Sequence, residues 1–393
     1  PKISFELGQL QTPVRSWRVT VTGPMAATLT AILVRTSGTN VLIDAVPRRV
    51  ALSQEGWLET WPTWSGSGWD TPDIPAEWDW SEYDAKMARY LPLGLTTHRA
   101  ALRQPFAGWA REHQRHLSEK GWLDLGYTYL YDEPRSEDYP KVNAFLGEVK
   151  CGAPGVKNMM TARHFPSELK YVDVWCPEAY TFDPAAAQAE QAKGKTVWWY
   201  VAFSTRHPYP NVWVDYPALD CRVWPWMTWK HDLDGMLYWS VTAWSRNDPW
   251  RTAETFPRSN GDGSMLYPGH DGHPVDSIRW ECLRDGMEDY EVLCLLEAGK
   301  NELGASAANA ELVKTVEQLC AIDNGVVRSY KDYNPDPAAL LNAREQMSDT
   351  LERIVATLGH EPVINSRPHY RKPVTPTPPS PGEGTAAREE TAT

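Results

Sequence analysis

Apolar and polar positions change period repeatedly along this chain. Eight short runs rich in valine, tryptophan, tyrosine and threonine read as β-strands: 17–22, 40–47, 96–102, 126–133, 158–163, 172–177, 196–203 and 236–242. The segments between them include helices. Residues 80–90 carry apolar side chains at helical spacing, 108–120 are charged and amphipathic, and 183–195 are alanine-rich. Strands alternating with helices predict βα units around a parallel sheet. Eight of them predict an α/β fold, a (β/α)8 TIM barrel over residues 17–300.

Beyond residue 276 the pattern is helical. Residues 276–297 read as the closing barrel helix, with Ser277 able to cap its start. Segments 305–322 and 336–358 read as two further helices at the end of the barrel, within a 301–360 unit. Residues 361–393 are dominated by Pro, Thr, Gly and Glu and predict a disordered tail.

Three connections are too long for turns. Residues 51–79 hold Trp57, Trp61, Trp64, Trp69 and Trp78; residues 204–230 hold Trp213, Trp224, Trp226 and Trp229; residues 243–276 are rich in Gly, Pro and Asp. Loops of this length in a compact domain are usually functional. Following strands two, seven and eight, all three are expected over the face where barrels place their chemistry.

On that face ends the run Tyr129-Leu130-Tyr131-Asp132-Glu133-Pro134. Pro134 cannot continue a ladder, and the residue before a proline is biased towards extended backbone, so Glu133 is expected to be extended. Two adjacent carboxylates repel each other, which a purely structural strand end has little reason to accept.

Composition narrows the chemistry. Twenty tryptophans and seventeen tyrosines against seven phenylalanines favour rings that stack on sugars while hydrogen-bonding hydroxyls. The 39 basic and 51 acidic residues give a net charge of −12 without a basic cluster, which excludes phosphate-backbone binding. No apolar run reaches the roughly 18 residues of a membrane span. The six cysteines are scattered without a Cys-x-x-Cys pair, so they are expected to be buried thiols and not zinc ligands. His270 and His273 flank Asp271 with no further ligand nearby, so no metal and no cofactor is expected. The chain starts at Pro1, which leaves an upstream leader or domain, the compartment and the oligomeric state open.

Glycosidases generally need two carboxyl groups with opposed pKa demands, and a direct nucleophile and its acid sit about 5 Å or more apart, usually on different strands. Adjacent acids fit that poorly. They fit a substrate-assisted reaction, in which the sugar's own 2-acetamido oxygen attacks. Glu133 would then be the acid and Asp132 the group that orients the acetamido N–H.

Weaker candidates for the substrate site surround the pair. Arg99, beside His98 on the third strand, is a sugar donor or a structural ion-pair partner. Glu178 and Tyr180 follow the sixth strand. Of Trp199 and Tyr200 on the seventh, one faces inward, and Tyr200 is the candidate. Trp239 and Trp244 flank the end of the eighth, and Tyr267 lies in the loop after it. The Arg284-Asp285 and Glu288-Asp289 run on the closing helix reads as a solvated face or as structural salt bridges.

Residues 129–134 are similar to the catalytic strand of family 123 glycoside hydrolases and their uncharacterised relatives. Further stretches match in order: Gly121-Trp122-Leu123-Asp124, residues 234–239, Gly261-Asp262-Gly263 leading to Leu266-Tyr267-Pro268-Gly269, and residues 277–291. The resemblance implies a retaining β-N-acetylgalactosaminidase that uses Asp132 as orienting group and Glu133 as general acid on a glycan substrate. It also implies an N-terminal β-sandwich, of which residues 1–16 would be a remnant. A glycosidase with a nucleophile on another strand and a non-catalytic carbohydrate-binding barrel remain as alternatives.

Overall fold

A computed structural model describes residues 78–364, apart from 94, 96, 101, 103–105, 245–247 and 271, and five strand backbones in the first 77 residues. In chain order, β1 (Lys2–Ile3), β2 (Val19–Thr22) and β5 (Trp57–Leu58) form one antiparallel sheet. Between them, β3 (Ala31–Ser37) and β4 (Asn40–Val46) form an antiparallel pair of their own. The segments 17–22 and 40–47 are therefore strands, but neither joins a parallel sheet. A parallel neighbour needs a crossover of a dozen or more residues, usually a helix. Only two residues separate β3 from β4, a spacing that suits a hairpin.

The remaining six candidates make one parallel sheet in simple sequential order. They are β6 (His98–Arg99), β7 (Gly126–Thr128), β8 (Lys157–Ala162), β9 (Val174–Pro177), β10 (Thr196–Val201) and β11 (Gly235–Tyr238). Before the sheet lies α1 (Ser81–Tyr90). The crossovers carry α2 (Phe106–Glu119), α3 (Tyr139–Gly152), α4 (Pro184–Gln191) and α5 (Leu219–Lys230). Asp183 caps α4 by accepting from the Ala185 N–H at 2.9 Å, and Pro184 suits the first helical turn. The architecture is thus α/β with a six-stranded parallel sheet.

That sheet is strongly curled. Tyr127 on β7 and Trp198 on β10 lie three strand spacings apart, about 14 Å in a flat sheet. Their rings nevertheless meet edge to face with centroids 5.4 Å apart. Trp198 also lies over Gly235, where a Cβ would come within 2.8 Å of its indole. The result is a half-barrel with a concave inner face.

Alternation along each strand assigns the two faces. Inward point Met159, Val174, Cys176, Trp198 and Tyr200. Outward point Met160, Trp175, Val197 and Trp199, buried beneath Leu146 of α3 and Trp226 and Met227 of α5. Both faces are covered, which explains why these strands are continuously apolar. Trp199 is the outward residue of its pair, its indole N–H donating to Thr228 Oγ1 at 2.8 Å.

The stretch 204–230 is not a loop throughout. Its second half is α5, and Trp224, Trp226 and Trp229 are buried in the core. Trp213 is buried as well. Pro225 and three tryptophans obscured the helical pattern, and these rings serve packing. Residues 243–276 hold two small hairpins, β12 (Glu254–Phe256) with β13 (Ser259–Asn260) and β14 (Tyr267–Pro268) with β15 (Pro274–Val275). Most of 51–79 and of the 361–393 tail lies outside the described residues.

The closing helix is α6 (Ile278–Leu303), capped by Ser277, whose Oγ accepts from the Trp280 N–H at 3.2 Å. It packs beside α7 (Ala310–Cys320) and α8 (Pro337–Leu358), with a hairpin of β16 (Val327–Ser329) and β17 (Asp332–Tyr333) between those two. Asp289 of α6 joins three helices. Its carboxylate, 1% exposed, accepts from Arg222 and the Trp226 indole of α5 and from Arg344 of α8 at 2.8–3.0 Å. Cys176, Cys221 and Cys294 are buried, Cys282 and Cys320 partly so, and Cys151 is exposed, which departs from a uniformly buried set. Among the described residues no helix is long and apolar enough to cross a membrane.

Candidate active site

The C-terminal ends of β7 to β10 converge on the concave face. The strand expected over 126–133 ends at Thr128, the backbone turns sharply after Tyr131, and Asp132 and Glu133 both lie exposed in the loop that follows β7. Glu133 is not extended: its φ is +44°, in the left-handed region. For a residue other than glycine that conformation costs about 1–3 kcal/mol and persists only where its surroundings enforce it. The local preference before Pro134 is overridden here by hydrogen bonds. The Glu133 N–H donates to Thr161 Oγ1 at 3.1 Å, and its carboxylate accepts from the Tyr200 hydroxyl.

Asp132 is held by two hydroxyls. Its Oδ1 accepts from the Tyr129 hydroxyl and from Thr161 Oγ1, the latter at 2.9 Å. Among the described residues no lysine, arginine or histidine pairs with either acid. Burial, and then the carboxylates they serve, push the Tyr200 and Tyr129 phenols well above the ordinary tyrosine range. Both therefore stay protonated and act as neutral donors. Burial likewise raises the Cys176 thiol beneath them, with the Asp132 charge adding to it.

A third carboxyl lies beside the pair. Glu178 follows β9, is 2% exposed, and is aligned with Tyr200 across an isolated parallel bridge. Its Oε1 accepts from Ser204 at 2.6 Å and Thr205 at 2.7 Å. Burial raises its pKa above the usual carboxylate range; the two hydroxyls oppose that shift and the charge on Glu133 adds to it. Tyr180, half-buried on the next turn, has its phenol raised by burial and then by Glu178, with Glu133 also in electrostatic reach. Asp132, Glu133, Glu178, Tyr180 and Tyr200 thus belong to one cluster.

Arg99 borders it. Its Nη2 donates to the Tyr129 carbonyl at 2.9 Å and its guanidinium lies 5.4 Å from the centroid of the Tyr129 ring, so it supports a residue that supports Asp132. It is not in an ion pair among the described residues.

The aromatic candidates after β11 form a separate wall. Trp239, 44% exposed, donates its indole N–H to buried Asp262 at 3.0 Å, and Tyr238 donates to the same oxygen at 2.8 Å. Gly263 makes room for it, since a Cβ there would lie 2.1 Å from the indole. Trp244 donates to Ser264 and to the Leu266 carbonyl, and Tyr267 packs against Trp250 with centroids 4.9 Å apart. Arg279 of α6, 5% exposed, donates to the carbonyls of Val212, Gly261 and Ser264 and clamps the loop that carries Asp262. Trp239, Trp244 and Tyr267 are thus tied to this loop.

Sequence reading missed Tyr129, Thr161, Ser204, Thr205 and Arg279. Tyr129 was legible by alternation: it lies two residues after Tyr127, and both share the concave face. Thr161 and the Ser204-Thr205 pair gave no signal, because a hydroxyl in a strand or turn is too common to single out.

Acids clustered at the carboxyl ends of parallel strands, without an ion pair to Asp132 or Glu133 among the described residues, occupy the position where α/β barrels place their chemistry. The catalytic-domain model of glycoside hydrolase family 123 matches residues 64–296, more than half of the chain, and the chain belongs to that family. A solved family 123 glycoside hydrolase from Clostridium perfringens, studied for the details of glycolipid glycan hydrolysis, is similar at 16% identity and a TM-score of 0.41. The match covers 65% of this chain and 45% of that one, so this chain spans under half of that protein's length. No curated protein matches the chain.

Proposed function

We propose that this protein is a retaining glycoside hydrolase that releases a terminal β-linked N-acetylgalactosamine by substrate-assisted catalysis. Glu133 protonates the glycosidic oxygen. Asp132 accepts the acetamido N–H and stabilises the oxazolinium-like intermediate formed when the acetamido oxygen attacks the anomeric carbon. The observation that carries this reading is that two adjacent acids just beyond one strand are each held by neutral hydroxyls and, among the described residues, by no cation. Hydroxyls orient a carboxyl group without committing it to an ion pair, and both acids lie exposed where a sugar can reach them. Glu178, Tyr180, Arg99 and the Trp239 wall are the proposed contacts to the rest of the sugar. The proposed catalytic unit runs to residue 300, with the antiparallel strands of the first 58 residues belonging to an N-terminal β-unit.

Glu178 supports a second reading, a glycosidase acting on another sugar with a nucleophile from the neighbouring strand. Its burial and its two hydroxyl donors on one oxygen make it a poor nucleophile, which favours the first. Comparing an aryl β-N-acetylgalactosaminide with the matching β-galactoside separates the two. We expect hydrolysis only of the first. In Glu133→Gln, substrates with poor leaving groups should slow by about 10²–10⁴-fold and activated aryl glycosides far less. Turnover of the β-galactoside would exclude substrate assistance, and binding without turnover of either would leave a carbohydrate-binding module.

A further inference from the structure

One hydroxyl serves both acids. Thr161, near the end of β8 and 1% exposed, has its Oγ1 2.9 Å from Asp132 Oδ1, 3.1 Å from the Glu133 amide nitrogen and 2.8 Å from the Tyr129 hydroxyl. Thr161 and Tyr129 bring one hydroxyl hydrogen each, and an ionised Asp132 brings none. Both hydrogens can therefore be spent on Asp132 Oδ1, which leaves the lone pairs of Thr161 to accept the Glu133 N–H. Oδ1 is then fixed, while Oδ2 has no hydrogen bond among the described residues. The same oxygen that orients Asp132 also anchors the left-handed main chain of Glu133.

We infer that Thr161 is a positioning residue for both carboxylates. It sets the Asp132 rotamer so that Oδ2 meets the substrate, and it locks the Glu133 backbone that delivers the acid to the leaving oxygen. Tyr129 secures the first of these through the same oxygen, Asp132 Oδ1. A threonine that merely filled space between β7 and β9 would be replaced without loss by valine, which has nearly the same shape and no hydroxyl. The inference rests on the assignment of Asp132 and Glu133 as the reacting pair.

The test is steady-state kinetics on an aryl β-N-acetylgalactosaminide for wild type, Thr161→Val, Thr161→Ser, Asp132→Asn and Glu133→Gln, each with a thermal melt. In Thr161→Val we expect kcat to fall about 100-fold and KM to stay within about threefold, the signature of misplaced reacting groups in an intact binding site. Thr161→Ser should restore kcat to within about fivefold of wild type, since it returns the hydroxyl without the methyl. A Thr161→Val enzyme within about threefold of wild type, while Asp132→Asn is inactive, overturns the inference and leaves the acid pair standing. Equal losses in the valine and serine variants overturn it too, because the methyl would then be responsible. Full activity in both Asp132→Asn and Glu133→Gln overturns the assignment beneath it. Should Thr161→Val fail to fold, Thr161→Ala carries the same expectation and the same overturning result.

Discussion

Two acidic clusters in this molecule make opposite use of carboxylates. Asp289 is buried and surrounded by cations, with Arg222 and Arg344 donating to its two oxygens and the Trp226 indole completing the shell. Asp132 and Glu133 lie exposed in the loop after β7, each side chain held, among the described residues, by hydroxyls alone. The first arrangement spends a carboxylate on joining α5, α6 and α8, so that none of its charge is left for a ligand. The second fixes carboxyl groups in space and leaves them accessible, with no cationic partner among the described residues. The kind of donor around an acid therefore distinguishes an anchor from a reactive group better than the acidity of the surrounding sequence does.

That contrast can be broken most directly by exchanging which property is measured. Asp132→Asn should lower kcat on the acetamido sugar by about 10³-fold while its melting temperature stays near wild type. Asp289→Ala should do the reverse, destabilising the fold by about 3–5 kcal/mol through two stranded arginines, with the folded fraction still active. Activity lost from Asp289→Ala in a protein that melts normally would end the distinction.

A smaller effect is expected where the hydroxyls are removed. Tyr200→Phe takes away the donor to Glu133 and should slow turnover of a poor leaving group by about tenfold, close to the worth of one hydrogen bond. No change would mean that Tyr200 packs beside Glu133 without orienting it.

The smallest effect concerns Glu178. Burial makes its folded carboxyl bind a proton more tightly than the unfolded one does. Its contribution to stability is therefore greatest in acid and declines as pH rises from the ordinary carboxylate range, about 4, through the raised folded value. Glu178→Gln has no such proton, so its melting temperature relative to wild type should rise with pH across that window. A difference that stays flat from about pH 4 to about pH 7 would show that Glu178 is not desolvated in the folded protein.

Much of this was legible along the chain. The six strands of the parallel sheet, the acid pair after β7, the Ser277 cap and the start of α8 at Pro337 all follow from short-range signals of spacing, side-chain shape and capping. The salt-bridge reading of the Asp285–Asp289 run is borne out by Arg222 and Arg344. Other features could not be read locally. The tryptophans of 204–230 resembled a binding loop because burial is not written in residue type, and an indole serves a core or a sugar equally well.

Sequence by itself determined that an acid pair follows the second strand of the parallel sheet, because proline and adjacency are properties of neighbours. Tertiary structure alone decided three things. It set the first strand candidates in antiparallel pairs, turned Glu133 into a left-handed backbone against its local preference, and brought Tyr200 to Glu133 across 67 residues of chain. Each depends on contacts between distant segments, and the curl of the sheet is what places the β7, β8 and β10 side chains within hydrogen-bonding distance of one another.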